Sequence, residues 1–264
     1  MTKEIIEKWY KKLHISESYD KEFYMALDTY EIDTSVTVEE YNSSEEDGKK
    51  NLLYFLYFCE EVQRKYTEKG INENILLDTL QDIPRWLDIW ADLKGNLFLG
   101  ELEWLKNHME LKLFKLGRLQ FCFADDYEFQ KRGIKKGDAV IDTHIPADGP
   151  LLLEECKKSF EYAREFFEKY YPEYKYEIFT CHSWLLDENM TNLLDDNSNI
   201  VKFQKLFTIE EQHESDAILG YVFRWRIKRD ELFDVEPISA FARKLKAIAL
   251  NGAVFYEGTG YINK

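Results

Sequence analysis

The sequence predicts an α+β or α/β protein, in which an all-α helical domain over residues 1–108 precedes a domain over 109–264 built on one sheet covered by helices. Three observations lead to this fold class. The chain has 264 residues, which suffices for one large domain or two ordinary ones. Apolar residues recur at helical spacing as far as His108. After Met109 the pattern changes to the two-residue alternation that is typical of strands.

Five helices are predicted in the first half. One opens the chain, and a second covers Asp20 to Tyr30. After a polar stretch over 41–47, the segment NLLYFLYFCEEVQRKY is apolar nearly all round in its first part, which predicts a central helix that ends at Gly70. The segment PRWLDIWADLK forms the fourth helix, closed by Gly95, and a last short helix holds Trp104.

The second half alternates predicted strands with helices. The strand candidates are rich in β-branched and aromatic residues and read LKLFKLGRLQFCFA, AVIDTHIP, YEIFTCHSWLL, VKFQKLF and AILGYVFRW. An amphipathic helix over residues 153–170 carries apolar residues at alternating spacings of three and four. A final helix, ISAFARKLKAIAL, follows Pro237 and stops at Asn251 and Gly252. Strands interleaved with helices in this way indicate one sheet with helices on it.

Composition excludes several functional classes. The net charge of −15 would repel a nucleic acid, so we expect no nucleic-acid partner. The longest apolar run, Leu52 to Cys59, is far shorter than the roughly 20 residues of a membrane span, so no membrane role is expected. The start of the chain is charged throughout and lacks the apolar region of a signal peptide. The four cysteines are widely separated, which indicates reduced thiols in a cytoplasmic protein.

Polar residues on predicted strands mark the first candidate site. In AVIDTHIP the two-residue period places Asp142 and His144 on one face, roughly 7 Å apart at 3.3–3.4 Å per residue. A carboxylate near an imidazole can orient it and raise its pKa, as a general base requires. The alternative is structural: His144 would donate to a backbone carbonyl at the strand end, ahead of the turn at Pro146.

The segment CHSWLLDE supplies further candidates. His182 and Ser183 are polar residues near the same end of the sheet, and we include both in the candidate catalytic set. Cys181 would be the nucleophile of a hydrolase if an imidazole such as His144 reached it, although most free cysteines are buried apolar residues. Asp142, His144 and His182 together could hold a metal, but no HxxxH or HExxH spacing supports this, and no metal is expected.

No phosphate-binding motif of a familiar kind is present. The sequence contains neither GxGxxG nor a P-loop, which argues against dinucleotide oxidoreductases and P-loop NTPases. The basic segment KRGIKKGDAV contains two glycines, but it leads into a strand, whereas a phosphate site of the usual kind leads into a helix. We therefore interpret it as a hairpin turn.

Three segments carry a resemblance to a known family: GDAVIDTHIPADGPL (137–151), CHSWLLDE (181–188) and DDNSNIVKFQKLF (195–207). Their order behind a helical half resembles a family of bacterial acyltransferases that joins a helical N-acyltransferase N-terminal domain to a GNAT-like C-terminal domain. The resemblance spans nearly the whole chain.

The resemblance implies a GNAT-like C-terminal domain whose mixed, splayed sheet accepts the pantetheine arm of an acyl-CoA co-substrate. It further implies an N-acyltransferase that passes the acyl group to an amine of a small molecule or peptide. The candidate base, His144 oriented by Asp142, comes from the polar residues on an otherwise apolar strand and not from the resemblance. The sequence departs from the superfamily in one respect, since the Q/R-x-x-G-x-G/A turn that opens a helix around the coenzyme pyrophosphate is absent. The alternative hypothesis is therefore a non-catalytic binding or regulatory protein that keeps the fold without a working coenzyme site.

Overall fold

A computed structural model describes residues 2–41 and 47–264 of the chain, so most of the polar stretch predicted over 41–47 lies outside the described residues. The chain divides into two compact units, Met1–Lys115 and Leu116–Lys264. Among the residues described, no helix combines the length and apolar character that crossing a membrane would require.

The first unit is helical. Its described residues form the α-helices α1 (Thr2–Lys12), α2 (Asp20–Thr29), α3 (Gly48–Lys69), α4 (Glu73–Leu80), α5 (Asp82–Lys94) and α6 (Leu102–Met109). As predicted, α3 is central: half of its residues are buried, and it packs against α1, α2, α4 and α6. Gly70 and Gly95 end α3 and α5 in the left-handed conformation that the sequence indicated. Only α4 had no counterpart among the predicted helices.

The second unit contains a six-stranded mixed sheet, whose first strand begins at the end of the first unit. The strands are β1 (Leu113–Leu116), β2 (Leu119–Ala124), β3 (Val140–His144), β4 (Ile178–Ser183), β5 (Thr208–Glu214) and β6 (Tyr256–Asn263). Their order across the sheet is β1-β2-β3-β4-β6-β5. β3 and β4 run parallel, whereas the pairs β2–β3, β4–β6 and β5–β6 are antiparallel.

Five α-helices accompany the sheet: α7 (Leu153–Tyr170), α8 (Met190–Leu193), α9 (Asn199–Gln204), α10 (Ala217–Val222) and α11 (Ala240–Leu250). One face of the sheet packs on α7, where the ring of Phe160 contacts Phe121 of β2 and Phe179 of β4 at centroid distances of 5.5 and 5.2 Å. The opposite face carries a smaller cluster of Phe129, Ile134, Val140, Ile178 and Tyr261.

Two of the predicted strands are wrong. VKFQKLF contains the end of α9, because Ser198 caps the helix by accepting from the Val201 N–H at 3.3 Å. AILGYVFRW begins with α10, which places Ile218 and Leu219 in an apolar cluster with α11. The sequence analysis also did not predict β5 and β6, the two strands that complete the sheet on the side of β4 away from β3.

Candidate active site on the sheet

The parallel strands β3 and β4 separate before they end. Their ladder pairs Ile141 with Phe179 and Asp142 with Thr180, while β3 continues to His144 and β4 continues to Ser183. The alternation of side chains places Asp142 and His144 on one face of the sheet together with Thr180 and His182. Beyond these pairs, the carboxyl ends of β3 and β4 are not hydrogen-bonded to each other in the ladder. Polar side chains lie next to this unpaired main chain.

Asp142 is the centre of a hydrogen-bonded cluster at this point. Its Oδ2 lies 3.1 Å from His144 Nε2, and its Oδ1 accepts from the Thr180 hydroxyl at 2.9 Å. The Tyr127 hydroxyl donates to the same carboxylate from the β2–β3 connection. The Thr143 N–H also donates to Asp142 Oδ1, at 3.0 Å. Asp142 is only 8% exposed, so the surrounding donors replace the water that a carboxylate would otherwise need.

These contacts fix the charge of the cluster. Burial raises the pKa of Asp142, but the charge and hydrogen bond of His144 and the hydroxyls of Tyr127 and Thr180 lower it, and the net effect holds this pKa below its usual value. Burial and the Asp142 charge raise the pKa of Tyr127 well above its ordinary value, so its hydroxyl keeps its proton. Asp142 is therefore an ionised acceptor at neutral pH, and it selects the tautomer in which His144 carries its hydrogen on Nε2.

The second predicted histidine lies in a different cluster. His182 Nδ1 is 2.8 Å from Thr259 Oγ1 on β6, and its Nε2 lies 3.9 Å from Glu257 Oε1. His213 of β5 stacks on His182 with a ring separation of 4.9 Å, and its Nε2 lies 3.7 Å from Glu257 Oε2. The structure thus gives His144 and His182 separate carboxylate partners.

Ser183 and Cys181 face the other way. The Ser183 hydroxyl accepts from the Leu185 N–H at 3.2 Å and caps a 3-10 helix, Trp184–Leu186, so the structure does not bring it together with the imidazoles. Cys181 is fully buried, and burial, followed by the Asp142 charge, raises the pKa of its thiol well above the ordinary value. A thiol held in this protonated form is a poor nucleophile, which argues against the Cys181 hydrolase hypothesis.

The three side chains weighed as a metal set, Asp142, His144 and His182, are not grouped closely enough to hold an ion. Among residues 2–41 and 47–264, the side chains that are grouped in that way are His182, His213 and Glu257.

The loop between β3 and α7 contains most of the motif HIPADGPL. The Arg118 guanidinium fixes its shape by donating to the carbonyl oxygens of Pro146, Gly149 and Pro150 at 2.9, 2.8 and 3.0 Å. The loop opens the 18-residue helix α7, whose N-cap residue, Leu152, makes no side-chain cap. A strand, a loop and the start of a helix follow one another here, which is the arrangement that phosphate sites usually have. The segment KRGIKKG, in contrast, lies in the β2–β3 connection and leads into a strand.

Sequence reasoning missed five residues of these clusters. Tyr127 lies in a connection whose path the pattern does not give, His213 lies on the unpredicted strand β5, and Glu257 and Thr259 lie on the unpredicted strand β6. Thr180 could have been found, because the two-residue period already places it on the His182 face.

Two family models match the chain. The model of the GNAT-like C-terminal domain matches residues 113–262, and that of the N-acyltransferase N-terminal domain matches residues 4–111. The chain therefore belongs to the family of N-acyltransferases that have a GNAT-like C-terminal domain. A comparison with functionally curated proteins found no match to this chain.

Solved structures share the fold of this family member. An acyltransferase in complex with decanoyl-CoA and teicoplanin is similar with a TM-score of 0.81 and 21% identity, over 97% of this chain and 87% of that one. An acyltransferase mutant in complex with octanoyl-CoA gives 0.82 and 21%, over 98% and 88%. An acyltransferase in complex with decanoyl-CoA gives 0.71 and 23%, over 98% and 76%. At these identities the likeness establishes the fold.

Proposed function

We propose that this protein is an acyl-CoA-dependent N-acyltransferase in which His144, oriented by Asp142, is the general base. The observation that carries the proposal is the Asp142–His144 pair at the end of β3, where β3 and β4 are no longer paired. Family membership and the acyl-CoA complexes of the structural neighbours support the choice of donor.

Asp142 and His144 have distinct roles in the reaction. In the tautomer that Asp142 selects, His144 Nε2 donates to the carboxylate and Nδ1 carries the lone pair that accepts the proton of the attacking amine. The amine nitrogen bonds to the thioester carbonyl carbon as the carbon–sulfur bond breaks. The leaving thiolate takes up a proton from water, and the His144 imidazolium returns its proton to water. The Asp142 charge stabilises the imidazolium that forms, because little water reaches this carboxylate.

Two features of the second unit fit an acyl-CoA, one on strand β3 and one at the start of helix α7. The pantetheine arm is a chain of amides that needs hydrogen-bond partners, and the hydroxyl of Thr143 is buried where β3 and β4 separate, with no partner among the residues described. The phosphates would lie at the N-terminus of α7, where the helix dipole favours an anion. Glu154 and Glu155 in the first turn of α7 oppose this, although each forms an ion pair with a lysine three residues later.

An amine acceptor also fits the charge of the protein. A net charge of −15 attracts ammonium groups and raises their local concentration. One structural neighbour was crystallised with teicoplanin, which makes an amine of a small molecule or peptide a reasonable first class of acceptor to test.

The test is an assay of CoA release with acetyl-, octanoyl- and decanoyl-CoA and a panel of primary amines. We expect His144→Ala to lower kcat/KM by about 10²- to 10⁴-fold, the usual contribution of a general base. The mutation should leave the affinity for the acyl-CoA unchanged. His14→Asn is the matched control: His14 is exposed in the other unit, and its φ of 52° is one that asparagine tolerates. Unchanged turnover in His144→Ala would remove the assignment.

Thermal melts distinguish the enzyme from the non-catalytic alternative, which the missing Q/R-x-x-G-x-G/A turn favours. An acyl-CoA at a hundred-fold excess over Kd should stabilise the protein by about 2.7 kcal/mol. That corresponds to a rise in Tm of roughly 5–10 °C for a chain of this size. No rise with any acyl-CoA would support a binding protein without a coenzyme site.

A further inference from the structure

Three strands bring two imidazoles and one carboxylate together on the far side of β4 from β3. His182 belongs to β4, His213 to β5 and Glu257 to β6, the strand between them. One ligand atom from each lies within 4.8 Å of the other two. The proposed acyl transfer uses none of these three side chains.

We propose that His182, His213 and Glu257 form a binding site for a divalent transition-metal ion, with Zn²⁺ as the best match. Imidazole nitrogen and carboxylate oxygen are ligands that zinc accepts. A set of two histidines and one glutamate satisfies three positions of a tetrahedron and leaves the fourth for water or a substrate atom. Such a set is typical of reactive zinc rather than structural zinc, which has four protein ligands.

The distances are close to those of a loaded site. Ligands at about 2.0–2.2 Å from a tetrahedral zinc are separated from one another by about 3.3–3.5 Å. Glu257 Oε1 lies 3.9 Å from His182 Nε2, and Glu257 Oε2 lies 3.7 Å from His213 Nε2. With one ligand atom taken from each residue, all three separations are within 4.8 Å, so the side chains must close further to hold an ion. Both histidine side chains are exposed, so small rotations of the rings complete the closure without movement of the strands.

Hydrogen bonds with neighbouring hydroxyl groups orient two of the three side chains. The Thr259 hydroxyl lies 2.8 Å from His182 Nδ1, which directs Nε2 of the same ring towards Glu257. The Ser215 hydroxyl donates to Glu257 Oε2 at 2.6 Å and itself accepts from the Ala217 N–H at 3.1 Å. Partners of this kind orient metal ligands and raise their affinity, by about 10- to 100-fold in measured cases.

The exposed imidazoles of His182 and His213 make the cluster accessible to an ion from solvent, and an open groove lies next to Ser215, the serine that is hydrogen-bonded to Glu257. The groove has a volume of about 490 Å³ and is lined by Ser215 together with Glu214, Asp216, Arg229 and residues 252–255. The Glu214 carboxylate in its lining attracts cations, whereas the Asp216 carboxylate is ion-paired with Arg229.

The experiment is a titration of the untagged protein with ZnCl₂ by calorimetry, repeated with Co²⁺, whose visible absorption is intense only in four- or five-coordinate sites. We expect one ion per chain. His213→Ala and Glu257→Gln should each weaken binding by at least about tenfold, and Thr259→Val by about 10- to 100-fold. His14→Asn, the exposed histidine of the other unit, should bind as the wild type does.

The result that overturns the proposal is an absence of saturable binding, or binding that all three substitutions leave unchanged. Circular dichroism of each variant excludes misfolding as the cause of a loss. Because no acyl donor is present in the titration, failure here leaves the acyltransferase proposal untouched, and the reverse also holds.

Discussion

Replacing Asp142 by asparagine tests whether the Asp142–His144 pair works as a unit. The amide keeps an oxygen that can accept from Thr180, but its nitrogen now faces His144 in place of Oδ2. An imidazole opposite an N–H donor turns to the tautomer in which Nε2 accepts and Nδ1 carries the hydrogen. The lone pair is then on the wrong nitrogen for accepting the proton of the amine.

The expected loss of activity follows from that tautomer. Asp142→Asn should lower kcat by about 10²- to 10⁴-fold, comparable with the removal of a general base. Residues that act as one unit are not additive, so Asp142→Asn combined with His144→Ala should be no slower than His144→Ala alone. The assay is steady-state CoA release for the wild type, the two single variants and the double variant.

The same substitution has a calculable effect on stability. It leaves the hydroxyl of the half-buried Tyr127 with a poorer acceptor and removes the charge that pairs with His144, which should cost about 1–3 kcal/mol. For the 149 residues of the second unit, this corresponds to a fall in Tm of roughly 2–12 °C. Thermal melts at neutral pH measure it.

Acid should reduce the difference between the two proteins. The contacts of Asp142 hold its pKa in the folded protein below the value of about 3.9 in an unfolded chain. The stabilisation is therefore fully present above about pH 5, and it is lost as the pH falls through the folded pKa. An asparagine variant as active as the wild type, or additive losses in the double variant, would refute the reasoning.

Three further outcomes are expected. Cys181 should react with iodoacetamide only after denaturation, because burial raises the pKa of its thiol; mass spectrometry of modified peptides checks this, and rapid native labelling would contradict it. Gly258→Ala should destabilise the protein by about 1–3 kcal/mol, because a Cβ there would lie 2.5 Å from the Leu186 carbonyl oxygen, whereas Gly149→Ala, with nothing within 4 Å, should be nearly neutral in urea unfolding. Ser198→Ala should cost about 1 kcal/mol through loss of the α9 cap, and an unchanged urea midpoint would show that the cap contributes nothing.

The helical half was predictable because its signals are local. The apolar stretch of α3, and the glycines that end α3 and α5, act within a few residues of themselves, and no distant contact overrides them. The amphipathic pattern predicted α7 equally well, since one helix face packs on the sheet.

The far side of the sheet was not predictable for a physical reason. β6 contains Gly258 and Gly260, which usually break a strand, yet both positions are closed by main chain: a Cβ would approach the carbonyl oxygens of Leu186 and Thr208 to 2.5 and 2.9 Å. β5 is polar except for Ile209, and it is an edge strand that pairs only with β6. The apolar segments beside them, α9 and α10, therefore resembled strands more than the strands did.

The candidate site was predictable only in part: the residues that share one strand were found, and their partners on other strands were not. The two-residue period found Asp142 and His144 together because both lie on one strand. It could not assign partners across strands, so Tyr127 and the Glu257 cluster needed the three-dimensional order β3-β4-β6-β5.

The outer strand β5 has a consequence for self-association. An edge strand has one side whose N–H and C=O groups can pair with a strand of another chain. Natural proteins prevent such pairing with charged side chains and β-bulges on the edge strand. β5 has both: it contains Glu210, Glu211 and Glu214, and its register with β6 shifts between Ile209 and Glu211. The Glu211 and Glu214 carboxylates should therefore disfavour pairing of β5 with a second copy of this protein while they are ionised.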